Sequence, residues 1–100
     1  MKEVRFHGAA RAELVSEIQY YAAIDRRLAE RLAVSIERAT RLAAEFPDMG
    51  SQYKYGTRRV FPRRFPYSLV YVVRGEVIYV LAVAPFSRRP GYWRSRMSDG

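Results

Sequence analysis

From the amino terminus onward, the spacing of apolar positions changes twice. Residues 2–6 alternate with a period of two, Val4 and Phe6 falling on one side, which predicts a short strand. After Gly8 the spacing lengthens. Ala10, Leu14, Ile18, Tyr21 and Ala22 recur at helical intervals with Glu13 and Glu17 on other faces, predicting an amphipathic helix over 9–24. Asp25 then stands where a carboxylate accepts the free N–H groups of a second helix. Leu28, Leu32, Ile36, Ala39, Leu42, Ala43 and Phe46 carry the apolar stripe of that helix to Pro47, and Asp48, Met49 and Gly50 supply turn chemistry. Ala22, Ala29 and Ala33 are small enough to let the two helices approach closely.

From Arg58 the period returns to two. Arg59, Phe61 and Arg63 alternate with Arg58, Val60, Pro62 and Arg64; Pro62 has no N–H to give to a ladder, so this strand belongs at an edge or a bulge. Residues 68–73 and 76–84 are rich in Val, Ile, Leu and Tyr, and Arg74-Gly75 between them reads as a hairpin turn. Both runs are apolar on both faces, so they are expected as central strands with the helices on one side and further cover on the other. Pro85 ends the last strand, and residues 86–96 are expected to lie over the sheet. The expected fold class is α+β: an N-terminal strand, a helical hairpin, a three-stranded antiparallel run packed on the helices, and a short C-terminal segment. At 100 residues this makes a single domain, 1–100.

Composition narrows the setting. No run approaches the ~18 apolar residues of a membrane span, the opening MKEVRFHG lacks the apolar core of a signal peptide, and cysteine is absent. A cytoplasmic protein with no membrane partner is expected. Charge is one-sided: residues 1–50 hold eight Lys/Arg and eight Asp/Glu, whereas residues 51–100 hold ten and two. Sixteen of the eighteen basic residues are arginine, the side chain suited to bidentate contact with phosphate or carboxylate. The second half is therefore expected to attract a polyanion, such as nucleic acid or an acidic protein segment. His7 has no partner ligands nearby in sequence and is expected at a helix start or on the surface. No Cys, His or Asp grouping has metal-ligand spacing and no glycine-rich phosphate loop occurs, so neither metal nor cofactor is expected.

The densest candidate chemistry is FSRRPGYWRSR, residues 86–96, with four arginines, Tyr92 and Trp93 around a Pro-Gly pair. Its arginines are expected to face a target while its rings anchor it to the sheet, giving Arg88, Arg89, Tyr92, Trp93, Arg94 and Arg96 as target-contact residues. Equally, Tyr92 and Trp93 are rings that close a core, with arginines paired to backbone carbonyls.

EIQYYAAIDRRLAERLAVSIERATRLAAEFPDMG, then RRVFPRRFPYSLVYVV, then VIYVLAVAPFSRRPGYWRSR, resembles the RelE/ParE superfamily of bacterial type II toxins, also named plasmid stabilisation proteins. The resemblance runs from Phe6 to Arg96 and is most specific at the basic pair before Phe65, Pro66 and Tyr67 and at the closing Arg88 to Trp93. It implies a partner antitoxin whose acidic or amphipathic C-terminal segment wraps the toxin, in a complex that binds operator DNA through the antitoxin. Val70, Val72, Ile78 and Val80, or their alternating partners, are the apolar face expected to receive that segment.

The superfamily divides by target. ParE-like members poison DNA gyrase without catalysis of their own; RelE-like members cleave messenger RNA on the ribosome. RNA cleavage needs a base for the 2′-hydroxyl, cations for the phosphorane and an acid for the leaving oxygen. Lys54 is the only lysine besides Lys2, and so the amine base if neighbouring arginines favour its neutral form. Arg59, Arg64 and Arg88 would stabilise phosphate, and Tyr92 would give a proton or stack on a base. Lysines are sparse, and Pro85 and Phe86 stand where many relatives have His before the arginines. The leading expectation is thus a growth-arresting, gyrase-poisoning toxin, with a ribosome-dependent endonuclease as the rival and an inactive, antitoxin-binding relative as a third reading.

Overall fold

A computed structural model of the chain describes residues 1–99. The elements run β1 (Glu3–Phe6), α1 (Gly8–Ile24), α2 (Arg26–Glu45), β2 (Ser51–Gln52), β3 (Arg58–Val60), β4 (Tyr67–Arg74) and β5 (Val77–Pro85), with 3-10 turns at Lys54–Gly56 and Arg94–Ser98. They form one five-stranded sheet in the order β1-β5-β4-β3-β2. β3, β4 and β5 make the expected antiparallel run. β1 joins its edge parallel to β5, with Phe6 opposite Val80, and the two-residue β2 closes the far edge. A strand that short leaves no alternation to read, which is why the sequence did not disclose it. β3 ends at Val60, so Pro62 lies beyond the ladder, and the hairpin turn is Gly75-Glu76, one residue later than expected, because Arg74 still pairs with Val77.

Local chemistry sets the helix boundaries. His7 Nδ1 accepts the Ala9 N–H at 3.0 Å and caps α1, and Asp25 Oδ1 accepts the Arg27 N–H at 2.9 Å and caps α2. α2 has a clear core stripe, burying Ala29, Leu32, Ile36, Ala39 and Ala43. α1 departs from the expected amphipathic form. Only Ala10 is buried, Leu14, Ile18 and Tyr21 are partly covered, and Val15, Tyr20 and Ile24 face solvent. Of the three alanines, Ala22 is exposed, Ala29 is buried and Ala33 is half-buried.

The sheet carries a core on each face. On the helix side Leu32 and Ile36 pack with Tyr67, Leu69, Tyr71, Ile78, Val80 and Val83. On the other side Val70, Val72, Leu81, Ala82 and Ala84 pack with Trp93 of the C-terminal segment. A bulge in β5 sets this division. Val70 pairs with Ala82 and Tyr71 with Val80, leaving Leu81 unpaired and turning both Leu81 and Ala82 toward Trp93. The face expected to stand open at Val70, Val72, Ile78 and Val80 is therefore closed. All four are buried, Ile78 and Val80 beneath the helices and Val70 and Val72 beneath the C-terminal segment. Among the described residues, no helix is long and apolar enough to cross a membrane.

Candidate functional site

The C-terminal segment is fastened by a residue from the other end of the chain. Glu13 of α1 accepts the Val83 N–H at 3.1 Å, the Tyr92 hydroxyl at 2.6 Å and two guanidinium bonds from Arg96 at 3.0 Å each. Arg88 approaches the same carboxylate at 3.6 Å and lies over the Tyr92 ring at 3.7 Å. Arg96 also donates to the Leu81 carbonyl at 2.9 Å, the residue that the bulge leaves without a strand partner. Farther along, Arg74 donates to the Met97 carbonyl, and His7 Nε2 meets Asp99 Oδ2 at 2.8 Å. A carboxylate so surrounded keeps its charge compensated where water is scarce. Burial pushes the Tyr92 hydroxyl well above the ordinary 10.0, and its bond to Glu13 raises it further.

Aromatic packing holds the segment from the other side. Trp93, 1% exposed, lies between Tyr53 at 5.9 Å and Tyr55 at 6.0 Å between ring centroids. Arg94 covers Tyr55 at 4.4 Å and Arg59 covers Tyr53 at 4.0 Å, so cations flank the rings on both sides. Gly91 takes φ 86°, and a Cβ there would press on the Tyr55 ring at 3.3 Å; the Pro-Gly pair is thus what lets the segment fold back over these rings.

Between the segment and the ends of β3, β4 and β5 lies a small pocket of about 90 Å³. Arg59, Arg88, Arg89, Tyr92 and Ser68 line it, with Tyr53 and Trp93. Of the candidate endonuclease residues the fold thus gathers Arg59, Arg88 and Tyr92. Lys54 and Arg64 are exposed and line no part of it: Lys54 lies in the Lys54–Gly56 turn, and Arg64 lies in the loop before β4 with φ 73°. Of the candidate contact residues, Arg88, Arg89 and Arg94 are exposed, whereas Trp93 is buried and Arg96 points inward at Glu13. Sequence reasoning missed Glu13, Tyr53 and Ser68. The charge asymmetry held a clue to the first, since a half with two acids and ten cations must draw counter-charge from the other half.

A second concavity, about 870 Å³, lies between α2 and the loop from Phe61 to Phe65. Val34, Leu42 and Phe61 expose apolar surface there. Arg27, Arg31, Arg38, Arg63 and Arg64 surround it, with Glu30 as its one acid. Among the described residues no three His, Asp or Glu side chains are grouped to hold a metal ion.

The sheet carries a helical hairpin on one face and a strapped C-terminal segment on the other. It superposes on a chain of the chromosomal ParDE TA system from P. aeruginosa with a TM-score of 0.75 and 19% identity, over 85% of this chain and 96% of that one. No curated protein matches the sequence significantly. The family model for the ParE toxin of the type II toxin-antitoxin system, parDE, matches residues 4–90, and the chain belongs to that family.

Proposed function

We propose that this toxin arrests growth by binding DNA gyrase and holding it in its DNA-cleaved state, with no chemistry of its own. The observation that carries this reading is the state of Tyr92. Its hydroxyl proton is committed to Glu13 and its pKa is raised, so it is a poor acid for a leaving oxygen, and neither Lys54 nor a histidine or free carboxylate lines the pocket as a base. A site of arginines without an acid/base pair stabilises charge but moves no proton. The exposed Arg88, Arg89 and Arg94 are then contacts to the target. Induced expression in growing cells tests this: chromosome breakage with intact messenger RNA is expected, and transcript cuts within translated codons contradict it.

The rival keeps one observation in its favour, that Arg59, Arg88 and Tyr92 border one pocket; transcript mapping in the same cells decides it. The cognate antitoxin, in our reading, lays an acidic amphipathic segment into the groove beside α2, where exposed apolar groups sit inside a ring of five arginines. This replaces Val70, Val72, Ile78 and Val80 as its contact surface. Hydrogen exchange slowed by antitoxin over α2 and residues 61–65 is expected; slowing confined to β4 and β5 contradicts it.

A further inference from the structure

The pocket under the C-terminal segment contains more donors than the protein itself satisfies. Arg59 Nε is buried with no hydrogen-bond partner among the described residues, and its guanidinium lies over the Tyr53 and Phe61 rings, at 4.0 and 4.9 Å, in no ion pair with a described carboxylate. Ser68 is 5% exposed and lines the pocket, so its hydroxyl stands beside the space these arginines border. Among the described residues Arg89 also has no ion pair, and Arg88 shares Glu13 with Tyr92 and Arg96. The cavity exceeds the ~15 Å³ that one water needs, at about 90 Å³.

We propose that this pocket binds a single phosphate group, held by Arg59, Arg88 and Arg89 with the Ser68 hydroxyl as an additional donor. Guanidinium forks and a hydroxyl approaching from β3, β4 and the C-terminal segment suit a tetrahedral oxyanion, which accepts from several directions, better than a planar carboxylate. The site is a binding site, since no proton-transfer group borders it in a usable state, and it does not depend on gyrase being the target. The phosphate is either free or part of a nucleotide; the exposed Phe61–Phe86 pair, 6.0 Å between centroids and adjoining the pocket through Phe86, offers a face on which a base could stack.

Titration of the purified full chain with inorganic phosphate, at constant ionic strength set by chloride, tests this by calorimetry and melting temperature. Saturable binding and a saturable rise in melting temperature are expected, with acetate at least ten-fold weaker. Arg89→Ala, an exposed substitution that leaves the fold intact, weakens phosphate binding at least ten-fold. Ser68→Ala leaves the ligand-free melting temperature unchanged or higher and weakens binding several-fold, a split that a packing role alone would not give. Tighter binding of adenosine 5′-monophosphate than of phosphate identifies a nucleotide as the ligand, and equal binding identifies the free ion. No saturable response to phosphate, acetate binding equal to phosphate, or wild-type affinity in both variants overturns the proposal.

Discussion

Glu13 shows what one side chain contributes to this fold. It neutralises Arg96, accepts the Tyr92 hydroxyl's hydrogen bond and satisfies the Val83 N–H, so removing it strands a cation and a backbone donor in a half-dry site. Glu13→Ala is expected to cost about 3 kcal/mol of stability, less than a fully buried pair because some solvent reaches it, with Glu13→Gln costing less than that. Denaturant titration of both variants measures this, and equal loss in the two would mean that the charge does not matter. Gly50 is a second such position. A Cβ there would sit 2.4 Å from the Tyr71 hydroxyl, which donates to the Pro47 carbonyl at 2.8 Å from a fully buried ring. Because that ring has nowhere to go, Gly50→Ala is expected to destabilise by about 1–3 kcal/mol, read as a lower denaturation midpoint at unchanged slope.

At the scale of elements, titration reports on how the sheet is covered. Burial raises the Tyr67, Tyr71 and Tyr92 hydroxyls above their ordinary 10.0, with hydrogen bonding to Tyr21 adding at Tyr67 and to Glu13 at Tyr92. The folded protein thus holds protons that the unfolded chain releases. The stability these groups contribute is fully present below pH ~10 and is lost as pH climbs from there toward the raised values. Unfolding free energy measured between pH 8.5 and 11 should fall above about 10, and more gently in Tyr67→Phe; a flat profile in the wild type would contradict the burial.

The same elements show how far the sequence could be read. Asp25, Pro47 and the Val/Ile-rich runs mark their boundaries through local chemistry, and the structure sets the strand ends close to those marks, with the β4–β5 turn displaced by one residue. Contacts across long separations left no such trace. The pairing of β1 with β5 and the Glu13–Arg96 bond join residues over seventy positions apart, and the bulge at Leu81 appears only once register is known. The candidate site was legible as a basic, aromatic cluster. Which arginine turned inward was not, because that depends on the one acidic partner supplied by α1.

On the scale of the whole molecule, charge and shape separate into two surfaces, a groove beside α2 ringed by arginines and a C-terminal face with Arg88, Arg89 and Arg94 outward. An acidic antitoxin approaching a chain of net charge +8 should associate faster as salt falls. Stopped-flow rates between about 50 and 500 mM salt are expected to drop at least ten-fold, and salt-independent rates would remove charge from the account. Phe61→Asp, which places a charge in the apolar part of the groove, should weaken antitoxin binding at least a hundred-fold without unfolding the toxin, as read by calorimetry and circular dichroism.

The central claim, that this toxin acts by holding gyrase and not by cutting RNA, meets its most direct test with purified components. Antitoxin-free toxin is incubated with gyrase, supercoiled plasmid and ATP, and linear DNA is scored after detergent and protease treatment. The account predicts linear DNA that depends on the toxin, unchanged in Tyr92→Phe and reduced when Arg88, Arg89 and Arg94 are replaced together. No linear DNA at large toxin excess, with a folded protein that still arrests growth in cells, would contradict it and return the arginine pocket to the ribosome.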